Sequence, residues 1–146
     1  MKKCYAVCDF LSEANRQHMR EVAAECGFDI EFYDNNEEAL GKVSDGEVIY
    51  CNDGELLASM PGLKWCHSAS AGVGHFIGTG AFDNGSIVLT NSSGAYGRAI
   101  SEHIMMVTLM LLRRMPEYLE ITGRHEWGEH LAIRSLEESK IAVIGA

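Results

Sequence analysis

The sequence has no basic stripe. Its formal net charge is -9, and its lysines and arginines are scattered apart from Arg113-Arg114. Nothing in it gathers positive charge to neutralise phosphates, which argues against a nucleic-acid partner. It also has no apolar run long enough to cross a bilayer. The longest, within residues 104–112, is about half the ~18–20 residues a span needs, and Glu102 and Arg113-Arg114 close it off. No CxxC pair occurs among the five cysteines, Cys4, Cys8, Cys26, Cys51 and Cys66, and no signal peptide precedes them. An odd count with mostly apolar neighbours reads as reduced core thiols in the cytoplasm, so the sequon Asn91-Ser92-Ser93 carries no glycosylation meaning. Repeats and low-complexity runs are absent too.

What remains is an ordinary globular composition. With 146 residues, 47% hydrophobic and 23% charged, the chain suffices for one domain or one and a fraction, with a real core. Residues 3–8 form a short apolar run ending at Asp9. A helical pattern follows in which Met19, Val22, Ala23 and Cys26 fall at i, i+3, i+4, i+7, with Ser12 as N-cap and Gly27 just past the end. Residues 29–33 alternate like a strand, Asn35 or Asn36 caps a helix over 37–43, and residues 47–51 make a third strand. A short helix over 55–60 stops near Pro61, residues 63–68 make a fourth strand, and residues 86–89 make a fifth.

Strands that alternate with helices and are nearly all apolar specify a parallel sheet covered on both faces. The expected class is α/β with a flavodoxin-like sheet, its functional loops at the carboxyl ends of the strands. Those loops are residues 8–10, 51–54, 70–76 and 90–97.

From residue 98 the chain turns strongly apolar. Thr108 is the only polar residue between Ile104 and Leu112, so this helix, predicted over 98–118, needs cover on both sides. A hinge helix between two domains and a helix held against its copy in a dimer both satisfy that need. Residues 119–135 are polar with weak periodicity, and residues 140–145 begin a new buried strand.

Four motifs bear on function. Ser68-Ala69-Ser70-Ala71-Gly72-Val73-Gly74-His75-Phe76 follows the fourth strand, and its small residues let successive N–H groups converge into a nest for a carboxylate or phosphate. A tight turn without a ligand accounts for the same residues equally well. Gly72, Gly74 and Gly78 imitate a dinucleotide fingerprint, but the next strand ends Leu89-Thr90-Asn91 without the acidic residue that motif requires, which makes it a decoy. His125 and His130 are five apart with Gly128 between them, so they do not share a helical face for a metal, and a solvated connector is the better account. His103 has the titration range of a catalytic acid or base. Beside Glu102 at the head of an apolar helix it reads as a packing histidine, with Glu102 favoured by the positive end of the helix dipole. No metal site and no catalytic pair is evident.

Residues 63–76 (LKWCHSASAGVGHF), 89–114 (LTNSSGAYGRAISEHIMMVTLMLLRR) and 140–146 (KIAVIGA) together resemble the D-isomer-specific 2-hydroxyacid dehydrogenases. The resemblance implies a flavodoxin-like substrate domain over residues 1–97, followed by the first helix and first strand of a Rossmann domain over 98–146. It implies that the amides of Ala71, Gly72, Val73 and Gly74 hold the substrate carboxylate. Asn52, after the third strand, completes the candidate substrate-binding set. That family often has an acidic or amide side chain where this chain has Gly74. The helix over 98–118 corresponds to the one that meets its copy in the usual homodimer. Gly145 corresponds to the opening of the glycine fingerprint for NAD or NADP, which continues past Ala146.

By the same resemblance the catalytic arginine, glutamate and histidine, and a C-terminal helix that returns to the substrate domain, lie beyond these residues. The expectation is then the substrate-binding half of an oxidoreductase that moves a hydride between NAD(P)(H) and a 2-hydroxy or 2-keto acid. This stretch alone would be inactive, with no catalytic residue of its own and no cofactor bound. A non-catalytic dimeric carboxylate-binding module is the alternative. A phosphoacceptor role for Asp9 ranks below both, because the acidic pair and the late lysine that such a site needs are missing.

Overall fold

The apolar run at the amino terminus forms the first strand, β1 (Lys2–Val7), and a capped helix, α1 (Glu13–Glu25), carries the chain back. Ser12 Oγ accepts from the Asn15 amide at 3.2 Å, and Gly27 takes the left-handed conformation, φ 80°, that ends the helix. The first unit continues with β2 (Phe28–Tyr33), α2 (Asn36–Ala39), β3 (Gly46–Tyr50), α3 (Gly54–Leu57), β4 (Trp65–Ser68), a short 3-10 turn (Gly74–Phe76) and β5 (Val88–Asn91). The computed structural model describes residues 1–83, 85–128, 130–137 and 139–144. It divides into two units, Met1–Ala95 and Tyr96–Ala146.

All five strands are parallel, in the order β2-β1-β3-β4-β5. This is the flavodoxin-like order, with the chain reversing direction between β1 and β3. The short helices are tighter than the residue pattern suggests. Gly41 at φ 79° follows α2 and ends it well short of residue 43. β5 lies two residues later than expected, because its bounds follow its neighbour: Trp65 pairs with Val88 and Ser68 with Asn91.

One face of the sheet is fully covered. Tyr5, Val7, Ile49, Cys51 and Cys66 point into a core closed by Leu56, Leu57, Met60, Leu63 and Phe76, all buried. Each such aliphatic side chain contributes about 1.5–3 kcal/mol by leaving water. The other face departs from the expectation of cover on both sides. Its cross-strand row runs Ile30, Cys4, Val48, Trp65, Val88. α1 packs over β2, while Trp65 stays 44% exposed and Val88 60%. An apolar groove of about 430 Å³ opens between Met19 and Val22 of α1 and Tyr50, Trp65 and His67 of the strands. All five cysteines are free, and Cys4, Cys51 and Cys66 are core thiols as expected. Cys26 is exposed instead, because it caps the surface end of α1.

The second unit corrects two expectations. The single helix over 98–118 is two, α4 (Gly97–Leu112) and α5 (Met115–Gly123), broken where Arg114 adopts φ 59°. Pro116 explains the restart: it has no N–H to donate to the preceding turn, and it suits the first turn of a new helix. Residues 140–144, expected as a buried strand, form none, and Ile141, Val143 and Ile144 are exposed. A strand exists only by pairing, and no described residue of this unit offers it a partner edge. Among the described residues, no helix is long and apolar enough to cross a membrane.

Candidate functional site

The carboxyl ends of β3, β4 and β5 converge on residues 68–76. Ser68, at the end of β4, is fully buried, and its hydroxyl donates to Asn52 Oδ1 at 3.0 Å. The Ser70 amide donates to the same oxygen at 3.3 Å and to Ser68 Oγ at 3.2 Å. An amide nitrogen can only donate, so these contacts fix which end of the Asn52 carboxamide is oxygen and leave Nδ2 as the group able to meet a ligand.

From the other side, the Ser92 amide donates to Ser70 O at 3.2 Å, and Asn91 Nδ2 donates to Ala71 O at 2.6 Å. The segment is thus held at both flanks. The amides of Ala71, Gly72, Val73 and Gly74 donate to no described atom, and Ala71, Gly72 and Gly74 are exposed. Gly54 lets the neighbouring loop approach: a Cβ there would lie 2.5 Å from Thr79 Cγ2 and 3.1 Å from His75 O. Gly72 and Gly74 face open space and take no left-handed backbone, so a side chain would fit at either position.

A polar chain runs behind the loop. Trp65 Nε1 donates to Thr90 Oγ1 at 2.8 Å, His67 Nδ1 lies 2.7 Å from the same oxygen, and His67 Nε2 lies 3.4 Å from Ser92 Oγ. Ser92 Oγ in turn donates to Ser68 O at 3.1 Å. With the Ser92 proton directed to Ser68 O, the Nε2–H tautomer of His67 satisfies both contacts, its Nδ1 accepting from Thr90. Tyr50 stacks on the His67 ring at 5.7 Å and an interplanar angle of 12°.

Charge is distributed unevenly across this end of the sheet. A cleft of about 280 Å³ between the ends of β1 and β2 is lined by Asp9, Phe10, Asp34, Asn35, Asn36 and Asn52. Asp53, with one oxygen at the Glu55 amide, adds a third carboxylate. Burial pushes the nearby Cys8 thiol up to about 11, so it is no thiolate at neutral pH. Residues 65–97, by contrast, hold Asp83 as their single carboxylate. Even with Asp34 paired to Arg16, Asp9 and Asp53 make the β1–β2 side the less favourable one for an anion.

The other candidate residues belong to the second unit. His103 is exposed on α4 rather than packed, and Glu102 pairs with Arg98 at 3.2 Å, beyond the first turn of the helix. His125 lies past the end of α5 with φ 55°. No cluster of metal-ligating side chains exists among the described residues. Gly145 lies outside them. Asn91, Ser92, His67 and Thr90 went unassigned in the sequence, where only the placement of Asn-Ser-Ser after a strand marked that loop as functional.

No protein-family model and no curated protein matches the sequence. The fold is nevertheless shared with solved dehydrogenases. A D-lactate dehydrogenase from Aquifex aeolicus, solved with NAD and lactic acid, superposes with a TM-score of 0.71 at 18% identity, over 92% of this chain and 41% of that one. A D-isomer specific 2-hydroxyacid dehydrogenase family protein from Aeromonas salmonicida gives 0.66 at 23% identity, over 93% and 44%. A glyoxylate reductase from Paecilomyes thermophila gives 0.68 at 16% identity, over 91% and 45%. The chain spans less than half the length of each. At these identities the likeness is one of fold.

Proposed function

We propose that these residues are the substrate-binding half of a nicotinamide-dependent oxidoreductase acting on a 2-hydroxy or 2-keto acid, with residues 1–97 as substrate domain and 98–146 opening the cofactor domain. The observation that carries this reading is the loop of unengaged amides at Ala71, Gly72, Val73 and Gly74, set at the carboxyl end of a flavodoxin-like sheet. Several N–H groups aimed at one carboxylate fix its position through charge-assisted hydrogen bonds. Asn52 Nδ2 adds a side-chain donor. Holding the acid in one orientation is this half's contribution to rate.

The nicotinamide, NAD or NADP, supplies or accepts the hydride in the complete enzyme. Residues 140–144, where the resemblance places the first strand of the cofactor domain, form no strand. The arginine, glutamate and histidine of the chemistry would come from outside these 146 residues. The isolated chain would be inactive and cytoplasmic, and would associate as a homodimer through residues 98–118.

The test is a titration of the ¹⁵N-labelled chain with D-lactate and with glyoxylate. Saturable shifts confined to residues 70–74 and Asn52 are expected. Their absence at millimolar acid overturns the reading, and NADH consumption with glyoxylate by a chain of verified mass overturns the expected inactivity.

A further inference from the structure

We propose that Asn91 is a positioning residue for the carboxylate-binding loop, acting by polarising the one peptide group whose N–H belongs to Gly72. The inference rests on the reading of residues 71–74 as the substrate's carboxylate site.

The argument starts from which atoms share a peptide. The carbonyl of Ala71 and the amide of Gly72 belong to one planar, conjugated unit. Asn91 Nδ2 donates to that carbonyl at 2.6 Å. A hydrogen bond accepted at the oxygen draws electron density from the nitrogen and makes the N–H a stronger donor, the cooperativity known for chains of amides. The Ser92 amide does the same for the preceding unit by donating to Ser70 O at 3.2 Å, which strengthens the Ala71 N–H. Both polarised amides are among those with no acceptor in the described protein. Two successive residues at the end of β5 thus act on two successive peptides of the loop after β4.

Asn91 is itself held in place for this work. Its register partner is Ser68, the last residue of β4, so the strand pairing carries it to the root of the loop. Its Oδ1 accepts from the Ser93 amide at 3.3 Å, which turns Nδ2 toward Ala71 rather than away. Oδ1 faces a donor and Nδ2 an acceptor, so flipping the carboxamide would break both contacts.

The variant that isolates the effect is Asn91→Ser, whose hydroxyl can still accept from the Ser93 amide but is too short to reach Ala71 O. Asn91→Ala serves as the second variant, should Asn91→Ser disturb the fold. Two readouts are taken on ¹⁵N-labelled protein. In the free protein, the Gly72 amide proton is expected to move upfield in the variants while Cys66 and Leu89, in the paired strands, stay in place. With D-lactate as probe, the dissociation constant is expected to rise roughly twofold, since polarisation alters a charge-assisted hydrogen bond by about 10–30% of its worth. An unmoved Gly72 resonance overturns the proposal whether or not any acid binds, and so does an unchanged dissociation constant in a variant whose wild type binds. Silence of the wild type toward D-lactate and glyoxylate overturns the carboxylate reading, and with it the functional half of this one, while the Gly72 shift still decides the polarisation.

Discussion

Trp65 and Thr90 sit on neighbouring strands, and the indole Nε1 donates to the threonine hydroxyl, which also meets His67 Nδ1. Thr90 therefore serves two rings at once. Thr90→Val keeps the branched shape and removes the hydroxyl. We expect a loss of about 1 kcal/mol, in the range of an ordinary hydrogen bond, by urea denaturation. The indole N–H resonance of Trp65 should move, and that of the exposed Trp127 should not. Histidine ¹⁵N spectra should place the proton of His67 on Nε2 in the wild type.

Gly54 is where α3 passes under residues 75–79. An added methyl meets Thr79 Cγ2 at 2.5 Å and the His75 carbonyl at 3.1 Å. The threonine can turn, but the backbone carbonyl has to move. Gly54→Ala should cost about 1–3 kcal/mol, as overpacking does. Thermal unfolding measures the loss, and it should be larger than for Gly72→Ala, where a Cβ meets open space.

Acid should weaken the amino-terminal ends of the strands first. Lys3 reaches Glu31 at 2.7 Å, the buried Tyr5 hydroxyl donates to Asp45 at 2.5 Å, and Lys64 and Lys2 meet Glu47 at 3.0 and 3.2 Å. These bonds hold all three carboxyls below their ordinary range. A carboxyl depressed in the folded state stabilises at pH above its unfolded value, about 4, and that contribution is lost as pH falls through the folded value. Tm should stay level from pH 7 to about 5 as far as these groups are concerned, and fall below about 4. Glu47→Gln should flatten part of that fall.

Association is expected to depend on α4. Ile104 is 55% exposed and Leu111 62%, on a helix whose residues Ile100, Val107 and, just past its end, Met115 are also exposed. Left in water, such a surface favours contact with a second copy. Light scattering at micromolar concentration should give the mass of a dimer for the wild type and of a monomer for Ile104→Glu with Leu111→Lys.

The rhythm of strands and helices was legible because its signals are local. Ser12, Gly27 and Asn35 cap where they stand in the sequence, and the strands are short apolar runs or, in β2, an alternation. What escaped was set by partners far along the chain. β5 was displaced by two residues because its extent is decided by pairing with β4. The break at Arg114 is the exception, since its signal, Pro116, is local and marks a helix start as readily as a helix end. At the candidate site, Ala71, Gly72 and Asn52 were visible as small residues and a turn after strands. Asn91 was not, because its bond to Ala71 spans 20 residues and exists only once two strands are aligned.

The left-handed residue at Arg114 also sets the mechanics of the second unit. A single helix over 98–118 would act as one stiff rod, carrying any push at its far end straight to the near one. With a joint at 114, the rod is α4 alone, 16 residues and so about 24 Å long. A displacement of α5 can be absorbed by the two backbone angles at Arg114 without bending α4.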